Sequence, residues 1–285
     1  MFGPNTHLSS FNSISYSHRD NEFFDLYKDT VRRFKSTFSL NDYDVLFIGG
    51  SGTIGIESVI YSIIGNIKII GHPGVFFNRW VNMVNGYNKA GDGHSMYCQL
   101  ETSNSSYFES NGGIVDCISS FPYYDIPKDA DIFITCGNKQ LGSYPGLSIV
   151  GVKKSFWGSL KSQDTMSYLN LKRYLDYGNK NQTPSTAPTH LFAHLNTILK
   201  NMDVTELRSK MNEVSYLITE AVGKDNVIGG LMGPVITINK DAIPIQIANK
   251  YQLYGINTNT TNYQIFTYSC DMKYYLRFCK DIQDV

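Results

Sequence analysis

Three short stretches carry residue types that chemistry could use. The first, GGSGTIGIES at 49–58, places Ser51, Gly52 and Thr53 directly after an apolar run. Glycines let the backbone approach a ligand closely, and hydroxyls beside the unpaired amides of a helix start make a place for a phosphate group. The second is Asp116, which closes the run GGIVD at 112–116. A carboxylate there either caps a helix just after it or serves as an acid at the carboxyl end of a strand, where open α/β sheets bind ligands. The third is Lys139, set between Asn138 and Gln140 just beyond DIFITC at 131–136. Each has a plain structural reading as well: a loop lysine is ordinarily a surface charge, and a glycine-rich turn is often only a turn. The turn also lacks the Gly-Lys-Ser/Thr of a P-loop and the G-x-G-x-x-G spacing of a dinucleotide site.

Taken together, and in this order, the three match the needs of pyridoxal 5'-phosphate. Its phosphate wants helix-terminal amides and hydroxyls, its ring nitrogen wants a carboxylate, and its aldehyde wants a lysine amine.

The elements that must position these residues are legible as pattern. DVLFI at 44–48 reads as a strand that stops at the glycine turn, after which Ile54, Ile56, Val59, Ile60 and Ile63 continue at helical spacing. Runs at 67–70, 114–117, 131–136 and 147–152 are short and apolar, as expected of strands buried on both faces in a mixed or parallel sheet covered by helices. Residues 191–223 read as helical with Asp203 or Thr205 as caps, and PVITIN, a helix around 244–254 and YQIFTYS suggest a small α+β unit. The expected organisation is an N-terminal arm at 1–20, a large α/β domain at 21–195 and a small C-terminal domain at 196–285.

Composition excludes several classes. With 25 basic and 25 acidic residues among 285 and 42% hydrophobic residues, the chain has no electrostatic footprint for nucleic acid or an anionic membrane. Its start lacks the basic and apolar segments of a secretory signal, and the most apolar window, 59–71, is too short to span a bilayer. Five cysteines without a C-x-x-C pair fit reduced thiols, so a cytoplasmic protein is expected. Neither His72 nor His190 has a second histidine or cysteine at metal-ligand spacing, and both read as structural or surface residues; GDGH at 91–94 reads as a loop.

The chain resembles the class V, fold-type I pyridoxal-phosphate-dependent aminotransferases, and among them is most similar to the 2-aminoethylphosphonate–pyruvate transaminases. The carrying residues are GGSGTIGIES, GVFFNRW at 74–80, LETSNSS at 100–106, VDCISSF at 115–121, CGNKQLGSYPGLSIV at 136–150, YLNLKRYLDYG at 168–178, STAPTH at 185–190 and GPVIT at 233–237, with FGPNTHLSS at 2–10 resembling the family's opening. The resemblance implies a Schiff base at Lys139, Asp116 on the pyridine nitrogen, Ser51, Gly52 and Thr53 on the phosphate, Phe76 stacked on the ring and Thr102 near the ring hydroxyl. It further implies a homodimer in which Thr186 reaches the neighbouring site, and transfer of an amino group from a small primary amine to a 2-oxo acid such as pyruvate. Two departures accompany it. The stretch between Thr53 and Asp116 is shorter than the family's usual span, so a smaller sheet or an altered dimer surface is expected. Thr267 in FTYS stands where the family places the arginine that grips a substrate carboxylate, and a hydroxyl cannot replace a bidentate guanidinium. Arg79 or Arg277 could take over, although Arg277 reads as a surface residue of a terminal helix. A lyase or decarboxylase of the same fold, needing no such grip, and a silent homologue acting as a binding subunit are the alternatives.

Overall fold

The apolar runs of the first half become the strands of one six-stranded sheet in the computed structural model, which describes residues 2, 15–162 and 167–284. In chain order the elements begin with α1 (Asn21–Thr37), β1 (Tyr43–Gly49), α2 (Gly52–Ser62), β2 (Ile67–Ile70), α3 (Val75–Gly86) and β3 (His94–Cys98). A small hairpin, β4 (Leu100–Glu101) and β5 (Ser106–Tyr107), precedes β6 (Gly113–Asp116), β7 (Ala130–Cys136) and β8 (Leu147–Lys153). Then come α4 (Leu171–Gly178), α5 (Thr189–Asn201), α6 (Val204–Val222), β9 (Val227–Ile228), β10 (Val235–Asn239), α7 (Ile245–Tyr251), β11 (Asn262–Phe266) and α8 (Met272–Gln283).

The sheet order is β1-β8-β7-β6-β3-β2. Strands β2, β3, β6 and β7 are mutually parallel, and β8 runs antiparallel to both β7 and β1, so it alone is reversed. Side chains alternate across each strand. Phe47 and Phe133 face Phe23, Tyr27 and Phe34 of α1 and Phe192 of α5, whereas Ile48 and Ile134 face Ile56 and Val59 of α2 and Trp80 of α3. Both faces are therefore covered, which is why these strands are continuous apolar runs. The expected α/β architecture is observed. Elements outside the expected set include α1, α3, α4, the β4–β5 hairpin, β9 and β3, the last opening at His94, the final residue of the expected loop.

The C-terminal section forms an antiparallel sheet, β11-β10-β9, covered by α6, α7 and α8 around Ile218, Ile236, Ile265 and Phe278. Asp203 caps α6 by accepting from the Glu206 amide at 3.0 Å. Phe2 joins this core, its ring stacked on Tyr275 with centroids 5.0 Å apart and its carbonyl accepting from the Phe266 amide. The rest of the opening segment, residues 1 and 3–14, lies outside the described residues. No helix among those described is long and apolar enough to cross a membrane.

The hairpin β4–β5 joins the two sheets. Ser105 Oγ lies 2.6 Å from Thr237 Oγ1, the Gly230 amide donates to the Ser105 carbonyl, and the Gln264 side chain donates to the Thr102 carbonyl.

Candidate active site

Because β1, β6 and β7 run parallel, their carboxyl ends share one edge of the sheet, and the residues just beyond them must meet there. Ser51 follows β1, Asp116 ends β6 and Lys139 follows β7. A cavity of about 220 Å³ occupies that edge, lined by Ser51, Gly52, Thr53, Phe76, Thr102, Asp116 and Lys139. Seven of the eight residues singled out from sequence thus line a single cavity. Trp80, Leu100, Ile118, Ser119, Cys136, Asn138 and Pro145 complete the lining. A larger surface cleft of about 720 Å³ between Arg19, Asp176, Tyr177 and Lys180 holds none of the eight.

One end of the cavity is the start of α2. Gly50 has φ +133°, a conformation that needs glycine, and its amide donates to the Gly146 carbonyl at 2.9 Å, tying this turn to the loop that carries Lys139. Ser51 occupies the N-cap position, yet its side chain makes no capping bond. Its hydroxyl and the first amides of α2, which have no intrahelical acceptors, remain to serve an anion.

Asp116 is held at both oxygens. The Ile118 amide donates to Oδ1 at 2.9 Å and the Trp80 indole nitrogen donates to Oδ2 at 2.8 Å. Burial raises its pKa from 3.8 to about 6, against the two donors, which pull it down.

Lys139 sits in a braced turn. The Gly142 amide donates to the Lys139 carbonyl and the Ser143 amide to the Gly137 carbonyl, at 3.0 and 2.8 Å. Neighbouring Gln140, buried, reaches back to the segment after β6, accepting from the Tyr123 amide and donating to the Ser119 carbonyl, both at 2.7 Å. The loops bearing the acid and the lysine are thereby bolted together. Burial lowers the pKa of Lys139 and so favours the neutral amine, with Cys136 and Asp116 opposing the shift. Cys136, on the cavity wall, is pushed up to about 11 by its own burial and is a poor nucleophile.

The third wall comes from α3. Glu101, fully buried, accepts from the amides of Phe76 and Phe77 at the start of that helix at 3.3 and 2.8 Å and from the Ser103 amide at 3.1 Å. Phe76 and Trp80, one turn apart, share the face that looks into the cavity. Neither Trp80 nor Glu101 is singled out by sequence reasoning. The available signal was the four-residue spacing from Phe76 to Trp80 and the position of Glu101 next to Thr102.

Thr186 is exposed in the loop before α5 and does not line this chain's cavity. Thr267 is fully buried and donates to the Gly233 carbonyl at 2.9 Å, so its hydroxyl is committed to the C-terminal core. Arg277 is exposed on α8, where it acts on Tyr251 and Asp281. Arg79 is exposed with its guanidinium 5.1 Å from the centroid of Phe76. Lys139 and Asp116 are the two ionisable groups other than the Cys136 thiol among the cavity-lining residues.

No family model matches the chain. It is 25% identical over 251 residues to the soluble hydrogenase 42 kDa subunit of Anabaena cylindrica, covering 72% of this chain and 65% of the relative. It is 27% identical over 226 residues to an uncharacterised aminotransferase of Methanocaldococcus jannaschii, covering 64% and 58%. The match thus spans less than two thirds of either relative's length. A local stretch of 69 residues, 23% of this chain and 18% of the relative, is 36% identical to the pyridoxamine–pyruvate transaminase of Mesorhizobium japonicum. Among solved structures, the phosphoserine aminotransferase of Cytophaga hutchinsonii superposes with a TM-score of 0.79 over 94% of this chain and 90% of its own, at 17% identity. The aspartate aminotransferase of Thermus thermophilus gives 0.80 over 95% and 92%, at 14% identity. The fold is the aminotransferase fold type I.

Proposed function

We propose that this chain is a pyridoxal-phosphate-dependent aminotransferase that moves an amino group from a small primary amine, with 2-aminoethylphosphonate the leading candidate, to a 2-oxo acid such as pyruvate. The observation that carries the reading is the convergence of Lys139, Asp116 and the uncommitted start of α2 on one cavity. The donor set fits the cofactor: hydroxyls and helix amides at one end for a phosphate, a pinned carboxylate for a ring nitrogen, an aromatic wall and a lysine. At about 220 Å³ the cavity is also smaller than the roughly 300–1,000 Å³ of drug-sized clefts, suited to one ring system. The names of two relatives, an aminotransferase and a transaminase, support the same reaction class.

When bound, the cofactor supplies an aldehyde for an amine to join and a ring that accepts electrons. The chain supplies the rest. Ser51, Gly52 and Thr53 would hold the phosphate, Phe76 the face of the ring and Thr102 its hydroxyl. Asp116 holds a proton on the ring nitrogen. Lys139, whose amine burial pushes toward the neutral form, would hold the aldehyde and would take a proton from the donor carbon. In the same reading the protein is a homodimer in which Thr186 completes the partner's phosphate site.

A second reading is favoured by Thr267. Since its hydroxyl is committed to Gly233, no C-terminal group at that position grips an acceptor carboxylate, as a lyase or decarboxylase of this fold would tolerate. Adding pyridoxal phosphate and then 2-aminoethylphosphonate separates the two. Transamination releases one aldehyde per subunit and stops until pyruvate is added; a lyase turns over without an acceptor. The visible band formed on adding the cofactor is expected to be absent in Lys139→Ala. If the wild-type chain forms no band, the binding-subunit reading replaces both.

A further inference from the structure

The geometry assigns Trp80 as the positioning residue that keeps Asp116 an oriented carboxylate, its indole N–H acting as a fixed donor to Oδ2. The assignment builds on the reading of Asp116 as the partner of a ring nitrogen, and it rests on three features of the structure.

First, the contact is direct and dry. Trp80 is 1% and Asp116 6% exposed, and the donor lies 2.8 Å from the acceptor. With Ile118 on Oδ1 and Trp80 on Oδ2, the carboxylate plane is fixed while each oxygen keeps a second lone pair.

Second, the indole cannot easily turn away. Its ring belongs to a buried apolar cluster that includes Val84, Met96 and Ile114, and Phe76 lies beside it at 6.3 Å. The helix beneath it is held at both ends, by Glu101 on the amides of Phe76 and Phe77 and by the Tyr87 hydroxyl donating to Glu57 of α2 at 2.8 Å.

Third, Asp116 has few other sources of help. Glu101 opposes its ionisation, and the thiols of Cys98, Cys117 and Cys136 face it as neutral groups, their ionisation suppressed by burial. Among the described residues, Lys139 is the cation acting on it, and burial pushes that amine toward its uncharged form. A neutral, immovable donor is then the device that still works when Lys139 carries no charge. It favours the charged acid without competing for the proton of a ring nitrogen.

The test uses the full-length chain free of cofactor, labelled with ¹³C at aspartate carboxyls, and follows the Asp116 signal against pH. Trp80→Phe removes the donor but also trims the ring. Replacing Trp80 with β-(3-benzothienyl)alanine, which puts sulfur where the N–H was, removes the donor and keeps the shape. In both proteins the Asp116 midpoint is expected to rise by about one unit or more, as loss of a hydrogen bond to a charged group requires. The second readout is pyridoxal phosphate affinity. It is expected to fall several-fold in the isostere near neutral pH and to recover in mildly alkaline solution, where the acid ionises without help. A midpoint unmoved in the isostere, or an affinity loss equal at every pH, overturns the assignment. If the midpoint moves but the wild-type chain forms no visible band with pyridoxal phosphate, the proposed function fails while the hold of Trp80 on Asp116 stands.

Discussion

Asp116 is costly to the folded chain. Its folded pKa of about 6 stands above the ordinary 3.8, so the native state binds the proton more tightly than the unfolded one. Relative to an uncharged side chain, its contribution is therefore most favourable below 3.8 and is lost as pH rises through about 6. Comparing wild type with Asp116→Asn by urea unfolding at about pH 4 and pH 8, without cofactor, the stability difference is expected to move in favour of the variant by about 2 kcal/mol. A difference that stays constant would mean the acid titrates normally. The variant is also expected to bind pyridoxal phosphate poorly, the usual conflict between stability and a prepared site. Asp116 and Lys139 were legible in sequence because, taken in order with the glycine turn, they match the needs of one cofactor, and the ends of parallel strands meet. Trp80 was not. A tryptophan on the apolar face of a helix reads as core, and its role as a donor depends on where β6 ends, which lies in another part of the chain.

At the scale of elements, the site depends on how α3 is seated. Gly74 precedes the helix with extended backbone, and a Cβ there would lie 2.3 Å from the carboxyl carbon of Glu101. Gly74→Ala should therefore displace Glu101 from the amides of Phe76 and Phe77. A cost of about 1–3 kcal/mol is expected from the overlap, together with weaker cofactor binding as Phe76 and Trp80 shift. Glu101→Gln tests the same seat by chemistry instead of bulk. It keeps one acceptor oxygen and turns the other into a donor facing an amide, at a cost of about 1–3 kcal/mol. Unfolding curves and cofactor titrations check both; full affinity in Gly74→Ala would show that the seat does not matter. Much of the element order was legible, since β1, β2, β6, β7 and β8 all coincide with apolar runs bounded by glycine or polar residues. Strand β3 escaped because only Met96 and Cys98 of its five residues are buried. Helix α1 escaped although Phe23, Tyr27, Thr30 and Phe34 recur at helical spacing, as charged residues between them mask the stripe. The shortened stretch before Asp116 still supplies β2, β3 and α3, so the site's wall is intact despite the smaller span.

The whole molecule raises the question of whether one chain suffices. Thr186 lies exposed outside its own cavity, and the open start of α2 leaves room for a hydroxyl from elsewhere. If two copies pair so that Thr186 of each serves the other, catalytic defects on different chains must complement. Lys139→Ala lacks the amine but offers an intact Thr186; Thr186→Glu brings a carboxylate toward the phosphate site but keeps the amine. Each variant alone is expected to be nearly inactive. In a two-fold dimer, a one-to-one mixture that has exchanged subunits contains hybrids in half the pairs, each with one whole site, so activity should return to about a quarter of the wild-type value. Exchange is verified by mass-tagged subunits on a native gel. Full activity in Thr186→Glu alone would show that the residue serves no site. Hybrids that form yet stay inactive would place Thr186 in the service of its own chain.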